Sequence, residues 1–350
     1  MTAALSLRHV AKRFPGGIAA LEDVSFDVAE SEFFAVLGGG GAGKTTLLRL
    51  IAGLDAPTSG DMLLFGQGAQ GRGAGVRPVS LMFQSQALFP HLTAAENVAY
   101  GLHRGRRMPP ETREMVDGLM VLTGLAGRAN AKPETLDEPL RRRLAFARSL
   151  ARRPRILLLD APTAGLDDRP RAALQRTIAE VQRSTGLTVV LATDDPDEAV
   201  MLADRIAVIE AGSIAEVGTP DALGDRPATR AAARLVGRMN LLEARLEGGG
   251  ASLVIAGLGR RQVRGWPGRS NAVTVGIPPD AIRLTRSPSD RSTAEPAFVR
   301  GQAFLGGRRC LLVEAAAGAT LIAVAPAERL AEGDAVWLDW DVERAVVLEG

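Results

Sequence analysis

Phe33-Phe34-Ala35-Val36-Leu37, Gly38-Gly39-Gly40-Gly41-Ala42-Gly43-Lys44-Thr45 and Thr46-Leu47-Leu48-Arg49-Leu50-Ile51-Ala52 run without a break, and this stretch decides the reading of the chain. Its first five residues are an apolar run of the length of a short buried strand, and its last seven read as the first turns of a helix. Between them stands G-x-x-x-x-G-K-[ST] with no gap, a phosphate-binding loop in the strand–loop–helix setting that confirms the motif. The chemistry follows from the backbone, because N–H groups of such a loop and of the helix N-terminus converge on a phosphate. Lys44 would reach the β and γ oxygens of a bound nucleotide, and the Thr45 hydroxyl would ligate Mg2+. The four consecutive glycines carry a cost, since each loses about 0.5–1 kcal/mol more than alanine on ordering.

Outward from this stretch, residues 1 to about 236 alternate strands with helices, the pattern of an α/β domain with a largely parallel sheet. Ile156-Leu157-Leu158-Leu159, Leu187-Thr188-Val189-Val190-Leu191 and Arg205-Ile206-Ala207-Val208-Ile209 are runs suited to strands buried on both faces. Pro109 to Gly127 and Leu140 to Ala151 carry helical periodicity and predict a helical insertion over about 85–152. From Asn240 the texture changes to short apolar stretches broken by Gly and Pro: Ala272 to Ile277, Arg308 to Glu314, Thr320 to Val324, Ala335 to Trp340 and Ala345 to Leu348. That pattern predicts a second, all-β domain over 240–350, a small antiparallel barrel or sandwich. Ser287 to Pro296 reads as an exposed loop.

At 350 residues and 46% hydrophobic content the chain can build two cores, and a net charge of +2 does not mark a nucleic-acid binder. Cys310 is the single cysteine, which excludes an internal disulfide and fits a reducing compartment; it is expected half-buried in a strand and inert. No apolar run approaches the length of a membrane span, and Met1 to Val10 alternates like a strand rather than a secretion signal. His9, His91 and His103 lack metal-ligand spacing. Arg141-Arg142-Arg143 reads as a solvated helix start, and Trp266, Trp337 and Trp340 as barrel or surface packing.

Several motifs then lie in one order. Lys12-Arg13-Phe14 precedes the phosphate loop, and Gln84 sits within Leu81-Met82-Phe83-Gln84-Ser85-Gln86-Ala87-Leu88-Phe89-Pro90-His91-Leu92-Thr93. Leu159-Asp160-Ala161-Pro162-Thr163-Ala164-Gly165-Leu166-Asp167 and Ala203-Asp204-Arg205-Ile206-Ala207-Val208-Ile209 follow. This order resembles the ATP-binding subunit of an ABC transporter. Phe89-Pro90-His91-Leu92-Thr93 is similar to the branch that imports polyamines, ferric iron, sulfate and sugars. Val275-Gly276-Ile277-Pro278-Pro279-Asp280-Ala281-Ile282-Arg283-Leu284 and Phe304-Leu305-Gly306-Gly307 resemble the C-terminal regulatory barrel of that branch. The resemblance implies ATP and Mg2+ as cofactors. Phe14 would stack on adenine, Gly38 to Thr46 would hold the phosphates, and Thr45, Gln84 and Asp160 would surround the metal, with Gln84 sensing the γ-phosphate. Ala87 to Leu102 would receive a coupling helix of an integral-membrane permease subunit. Asp167 would lie at the contact with a second nucleotide-binding subunit, the same chain or an intact paralogue. A solute-binding protein would complete an importer on the inner, cytoplasmic face of the membrane, and nucleic acid is not an expected partner.

Three departures from the pattern stand out. Ala161 follows Asp160 where the family carries a general-base glutamate, a loss that typically lowers rate by about 10²–10⁴. Thr193-Asp194-Asp195 stands where the family has a Thr-His-Asp switch. Leu136-Asp137-Glu138-Pro139-Leu140 stands where it has Leu-Ser-Gly-Gly-Gln, so that Pro139 removes an N–H and two carboxylates enter. Arg143-Leu144-Ala145-Phe146-Ala147-Arg148 after it fits well. One chain lacks both the base and the signature, so neither self-pairing nor pairing with an intact partner yields a complete hydrolytic site. The expectation is an ATP-binding import subunit with impaired hydrolysis, or a pseudo-ATPase that acts as a nucleotide-binding regulatory module. Asp195 is a conceivable substitute carboxylate.

Overall fold

The computed structural model describes residues 3–102, 108–248, 251–263, 271–287, 293–305, 307–315 and 318–348. Its contacts divide the chain into two compact units, Met1–Thr219 and Pro220–Gly350. The first begins with strands β1 (Ala3–Arg13) and β2 (Ala19–Ala29), and the decisive stretch then forms β3 (Phe33–Leu37), the glycine loop and α1 (Lys44–Ala52). Three strands follow: β4 (Ser59–Leu64), β5 (Gln67–Gly68) and β6 (Val79–Met82). Helices α2 (Ala94–Ala99), α3 (Pro110–Leu122) and α4 (Glu138–Ala151) form the insertion. The unit closes with β7 (Ile156–Asp160), α5 (Asp168–Thr185), β8 (Thr188–Thr193), α6 (Pro196–Leu202), β9 (Arg205–Glu210) and β10 (Ser213–Gly218).

Two sheets result. The larger runs β10-β9-β3-β8-β7-β6, parallel except for β10. Every residue of β3, β7 and β8 is buried, which is why those segments read as unbroken apolar runs. The smaller sheet, β2-β1-β4-β5, is antiparallel and shares one core with β3, α1 and β7, in which the Phe26 and Phe34 rings stack with centroids 4.9 Å apart. Register sets the position of the site. Leu37 lies opposite Thr193, and Asp160 opposite Ala192, so the loop after β3 and the ends of β7 and β8 meet at one edge of the sheet. Ligands of open α/β sheets bind at such carboxyl ends.

The insertion has its own core, built from Val98, Val116, Met120, Leu125, Leu136 and Leu144 among others. α3 stops at Leu122, short of the expected Gly127, because the Thr123 hydroxyl turns back to Leu119 O and Gly124 takes φ 74. α4 starts at Glu138, two residues before the expected Leu140, because Asp137 accepts the Leu140 N–H at 2.9 Å as its N-cap.

In the second unit, short helices α7 (Pro220–Asp225) and α8 (Arg230–Leu235) precede antiparallel strands β11 (Asn240–Glu247), β12 (Ser252–Ile255), β13 (Gly259–Gln262), β14 (Ala272–Ile277) and β15 (Ile282–Thr285). Then come β16 (Glu295–Leu305), β17 (Arg308–Ala315), β18 (Thr320–Val324), β19 (Ala335–Trp340) and β20 (Val346–Leu348). They form sheets β13-β12-β11-β14-β20 and β15-β19-β16-β17-β18 around a common core. The division between units falls at Thr219/Pro220, before the expected 236/240. α8 is the reason, since it packs on β11 and β14 and its Ala233 joins Met239 and Leu348 in a small cluster.

Other expectations need correction. Residues 288–292 of the predicted Ser287–Pro296 loop lie outside the described residues, and Glu295 and Pro296 already belong to β16. Cys310 is not half-buried but 1% exposed, and burial raises its thiol pKa. Arg142 is not solvated either, being 7% exposed. Trp340 packs in the core of the second unit, as expected, with the Arg261 guanidinium 5.3 Å from its ring centre, whereas Trp266 and His103 lie outside the described residues.

Phe34 is fully buried at the centre of both sheets of the first unit. Phe34→Ala is expected to destabilise that unit by about 3–5 kcal/mol, measured as a fall in its denaturant midpoint.

Candidate functional site

Lys44 and Thr45 open α1 directly after Gly43, whose φ of 103 turns the chain into the helix and which supplies no capping side chain. No acidic residue stands in the first turn. The helix therefore offers free N–H donors and the positive end of its dipole to the loop. Both ends of that loop are wedged. A Cβ on Gly38 would lie 2.4 Å from Ile209 O, and one on Gly43 would lie 2.4 Å from Ala20 O. Its middle is different, because Cβ atoms on Gly39, Gly40 or Gly41 would meet nothing within 4 Å. The loop is fixed at both ends and open between them.

Lys44 Nζ donates to Gly38 O at 2.7 Å and to Gly39 O at 2.9 Å. Burial lowers its pKa from the ordinary lysine value, while the charges of Asp194 and Asp160 act to raise it. Asp160, 5% exposed at the end of β7, accepts the Thr45 hydroxyl at 3.0 and 3.2 Å. Burial raises the Asp160 pKa above the usual carboxylate range, against the Thr45 hydrogen bond and the Lys44 charge. A hydroxyl and a carboxylate in contact are the oxygen donors that Mg2+ takes, and loop amides beside a lysine suit a polyphosphate. These residues fit Mg-ATP.

The other expected site residues are placed less tightly. Thr46 is half-buried in the same helical turn. Gln84 is exposed just beyond β6, whose Met82 pairs with Leu159, and it makes no hydrogen bond to Thr45 or Asp160. Phe14 lies in the β1–β2 connection, 37% exposed, with the Lys12 ammonium 5.1 Å from its ring centre. Asp167 is exposed ahead of α5 and makes no cap bond. In the Ala87–Leu102 segment, fully buried Asn97 bonds Phe89, Leu92 and Thr93, and Arg148 donates to Gln86 O and Ala87 O at 2.7 Å. The Phe89 and Tyr100 rings meet at 4.0 Å, with Tyr100 54% exposed.

At the base position, Ala161 takes φ 45, a left-handed backbone that a residue with a Cβ adopts at a cost of roughly 1–2 kcal/mol. It is held by its N–H to Ala192 O at 2.8 Å. Asp195, the conceivable substitute, has other partners. It caps α6 by accepting the N–H groups of Asp197 at 2.9 Å and Glu198 at 3.4 Å, and it pairs with Arg171 at 3.4 Å.

Two clusters escaped the sequence reading. Glu198, 1% exposed, accepts the hydroxyls of Thr163 at 2.6 Å and Thr193 at 2.7 Å, tying the loop after Ala161 to the end of β8. Burial raises its pKa, against those hydrogen bonds. The available signal was its place three residues after the helix cap Asp195, where a side chain turns inward. The second cluster sits at Leu136–Leu140, where the resemblance implies the signature. Glu138 pairs with Arg141 and Arg142, each at 3.0 Å, and accepts Gln86 Nε2 at 2.5 Å. Burial acts to raise the Glu138 pKa, but the arginine bonds outweigh it and hold the carboxyl below its usual range. Arg142 also donates to Ala161 O at 3.2 Å and Ala164 O at 2.9 Å. One of the two carboxylates that enter this segment is therefore internally neutralised. Three arginines in a row concealed that one of them is buried.

Residues 21–164 match the ABC transporter family and residues 275–348 the TOBE domain. The spermidine/putrescine import ATP-binding protein PotA of Rubrobacter xylanophilus is 36% identical over 358 residues, 99% of this chain and 94% of that protein. PotA 1 of Pseudomonas aeruginosa is also 36% identical, over 99% of this chain and 97% of that protein. Among solved structures, the ATP-binding cassette MJ0796, a dimer bound to ADP and Pi, aligns with a TM-score of 0.56 and 29% identity. It covers 61% of this chain and 98% of its own. The loop, the sheet edge and relatives along nearly its whole length place this chain in the ABC transporter family, among the ATP-binding proteins of its import systems.

Proposed function

We propose that this chain is the ATP-binding subunit of an importer that binds Mg-ATP but hydrolyses it poorly. The observation that carries the reading is the joined set of wedged loop, Lys44, Thr45 and Asp160, which is complete for binding, beside Ala161, which holds no carboxylate for the attacking water. Relatives named for spermidine and putrescine import bring polyamines to this chain as its solute class, and permease subunits and a solute-binding protein as its partners. Its place is then the cytoplasmic face of the membrane, and among the described residues no helix is long and apolar enough to cross one. Gln84, Phe14 and Asp167 keep the roles the family gives them: sensing the γ-phosphate beside the metal, stacking on adenine and meeting the second subunit.

A second reading, a pseudo-ATPase that gates its partners by binding nucleotide alone, is favoured by the start of α4. There Asp137 is used as a helix cap and Glu138 as an ion-pair partner, so neither offers a hydroxyl or a glycine amide to a partner's nucleotide. Mg-ATP turnover by the purified chain, with Lys44→Ala as the blank and nucleotide binding measured in parallel, tests both readings. Expected are clear binding and turnover within about a hundredth of that of an intact family member. Turnover at the intact level would sink the impaired-hydrolysis claim, and no binding would sink both. Asp195→Ala is expected to lower stability by about 1 kcal/mol through loss of the α6 cap, seen as a lower Tm, with residual turnover unchanged; a loss of turnover would make Asp195 the substitute base.

A further inference from the structure

The end of β8 carries a second acidic group toward the phosphate loop. Gly38 donates its N–H to Thr193 O at 3.3 Å, and Leu37 pairs with Thr193 in the sheet, so Asp194 is the next residue along, beside the first glycine of the loop. Its side chain is exposed, and among the described residues no hydrogen bond engages it. Lys44, whose ammonium rests on Gly38 O and Gly39 O, feels both Asp194 and Asp160, and Asp194 more strongly. The other carboxylates of this edge are engaged: Asp160 by Thr45, Asp195 by Arg171 and the α6 amides, Glu198 by two threonines. One lysine charge therefore serves two carboxylates before any ligand arrives.

We propose that Asp194 sets the specificity of this site, favouring a nucleoside diphosphate over the corresponding triphosphate. The inference rests on the reading of the loop as a nucleotide site. A diphosphate keeps its terminal group on the loop amides and the α1 N-terminus, where donors are plentiful. A triphosphate adds a further anionic group at Lys44, whose ammonium already feels the charge of Asp194. There the carboxylate repels it and competes for the same ammonium. Because Asp194 is exposed, solvent and salt weaken the effect, and a moderate discrimination follows rather than exclusion.

Calorimetric titration of the full chain with ADP and with a non-hydrolysable ATP analogue, both with Mg2+, tests this in the wild type, Asp194→Asn and Lys44→Ala. The wild type should bind ADP at least about threefold more tightly than the triphosphate, as expected for one exposed like-charge contact. Asp194→Asn should close the gap by tightening the triphosphate alone, and the wild-type gap should shrink as salt rises. Equal effects of Asp194→Asn on both nucleotides would overturn the proposal. So would weakened triphosphate binding in that variant, which would mark Asp194 as a group that holds the metal. Binding of neither nucleotide by the wild type, or binding indifferent to Lys44→Ala, would instead remove the nucleotide site itself and the proposal with it.

Discussion

A carboxylate buried at the end of a parallel strand must find compensation, and among the described residues Asp160 finds it in the Thr45 hydroxyl and the Lys44 ammonium. Both belong to the segment that follows β3, while Asp160 ends β7, with β8 lying between the two strands. The contact therefore holds only if three parallel strands keep their register and the loop keeps its height above them. Gly38 and Gly43 fix that height, since each lies against another backbone with no room for a side chain. The antiparallel hairpin of β1 and β2 enters the same constraint through Ala20, which Gly43 touches. Binding geometry and fold stability are here one requirement.

Much of this was legible in the sequence for physical reasons. Strands buried on both faces must be apolar throughout, and β3, β7 and β9 could be read as such. The phosphate loop could be read because its glycines answer to backbone geometry rather than to packing. The second unit was less legible. β11 carries Glu243, Arg245 and Glu247 on its open face, so its apolar signal was halved, and β12 and β13 are four residues each. Pro296 concealed the start of β16, a position an antiparallel strand tolerates at its first residues. Burial of single charged side chains was not legible at all. Nothing local separates buried Arg142 from its neighbours Arg141 and Arg143; the difference arises from where α4 packs, over the loop that follows β7.

The departures from the family pattern are not holes in the fold. At the base position, backbone hydrogen bonds hold Ala161 in place without any side chain. At the switch position, Thr193 and Asp195 remain tied into Glu198 and α6, so the end of β8 keeps its shape while its central residue changes charge. Where the resemblance implies the signature stands a capped helix start with an ion-pair cluster. Lys44, Thr45 and Asp160 thus stand in contact beside Ala161, Asp194 and Asp137-Glu138-Pro139, the three places where the sequence departs from the pattern it resembles.

The Arg142 cluster also limits which single exchanges this chain can bear. Its guanidinium is buried and shares its charge with Glu138, while its remaining N–H groups are taken up by the carbonyls after Ala161. Replacing Glu138 by glycine would take away the carboxylate that pairs with this buried cation and leave its charge uncompensated. A glycine there is tolerated only if Arg142 is exchanged together with it.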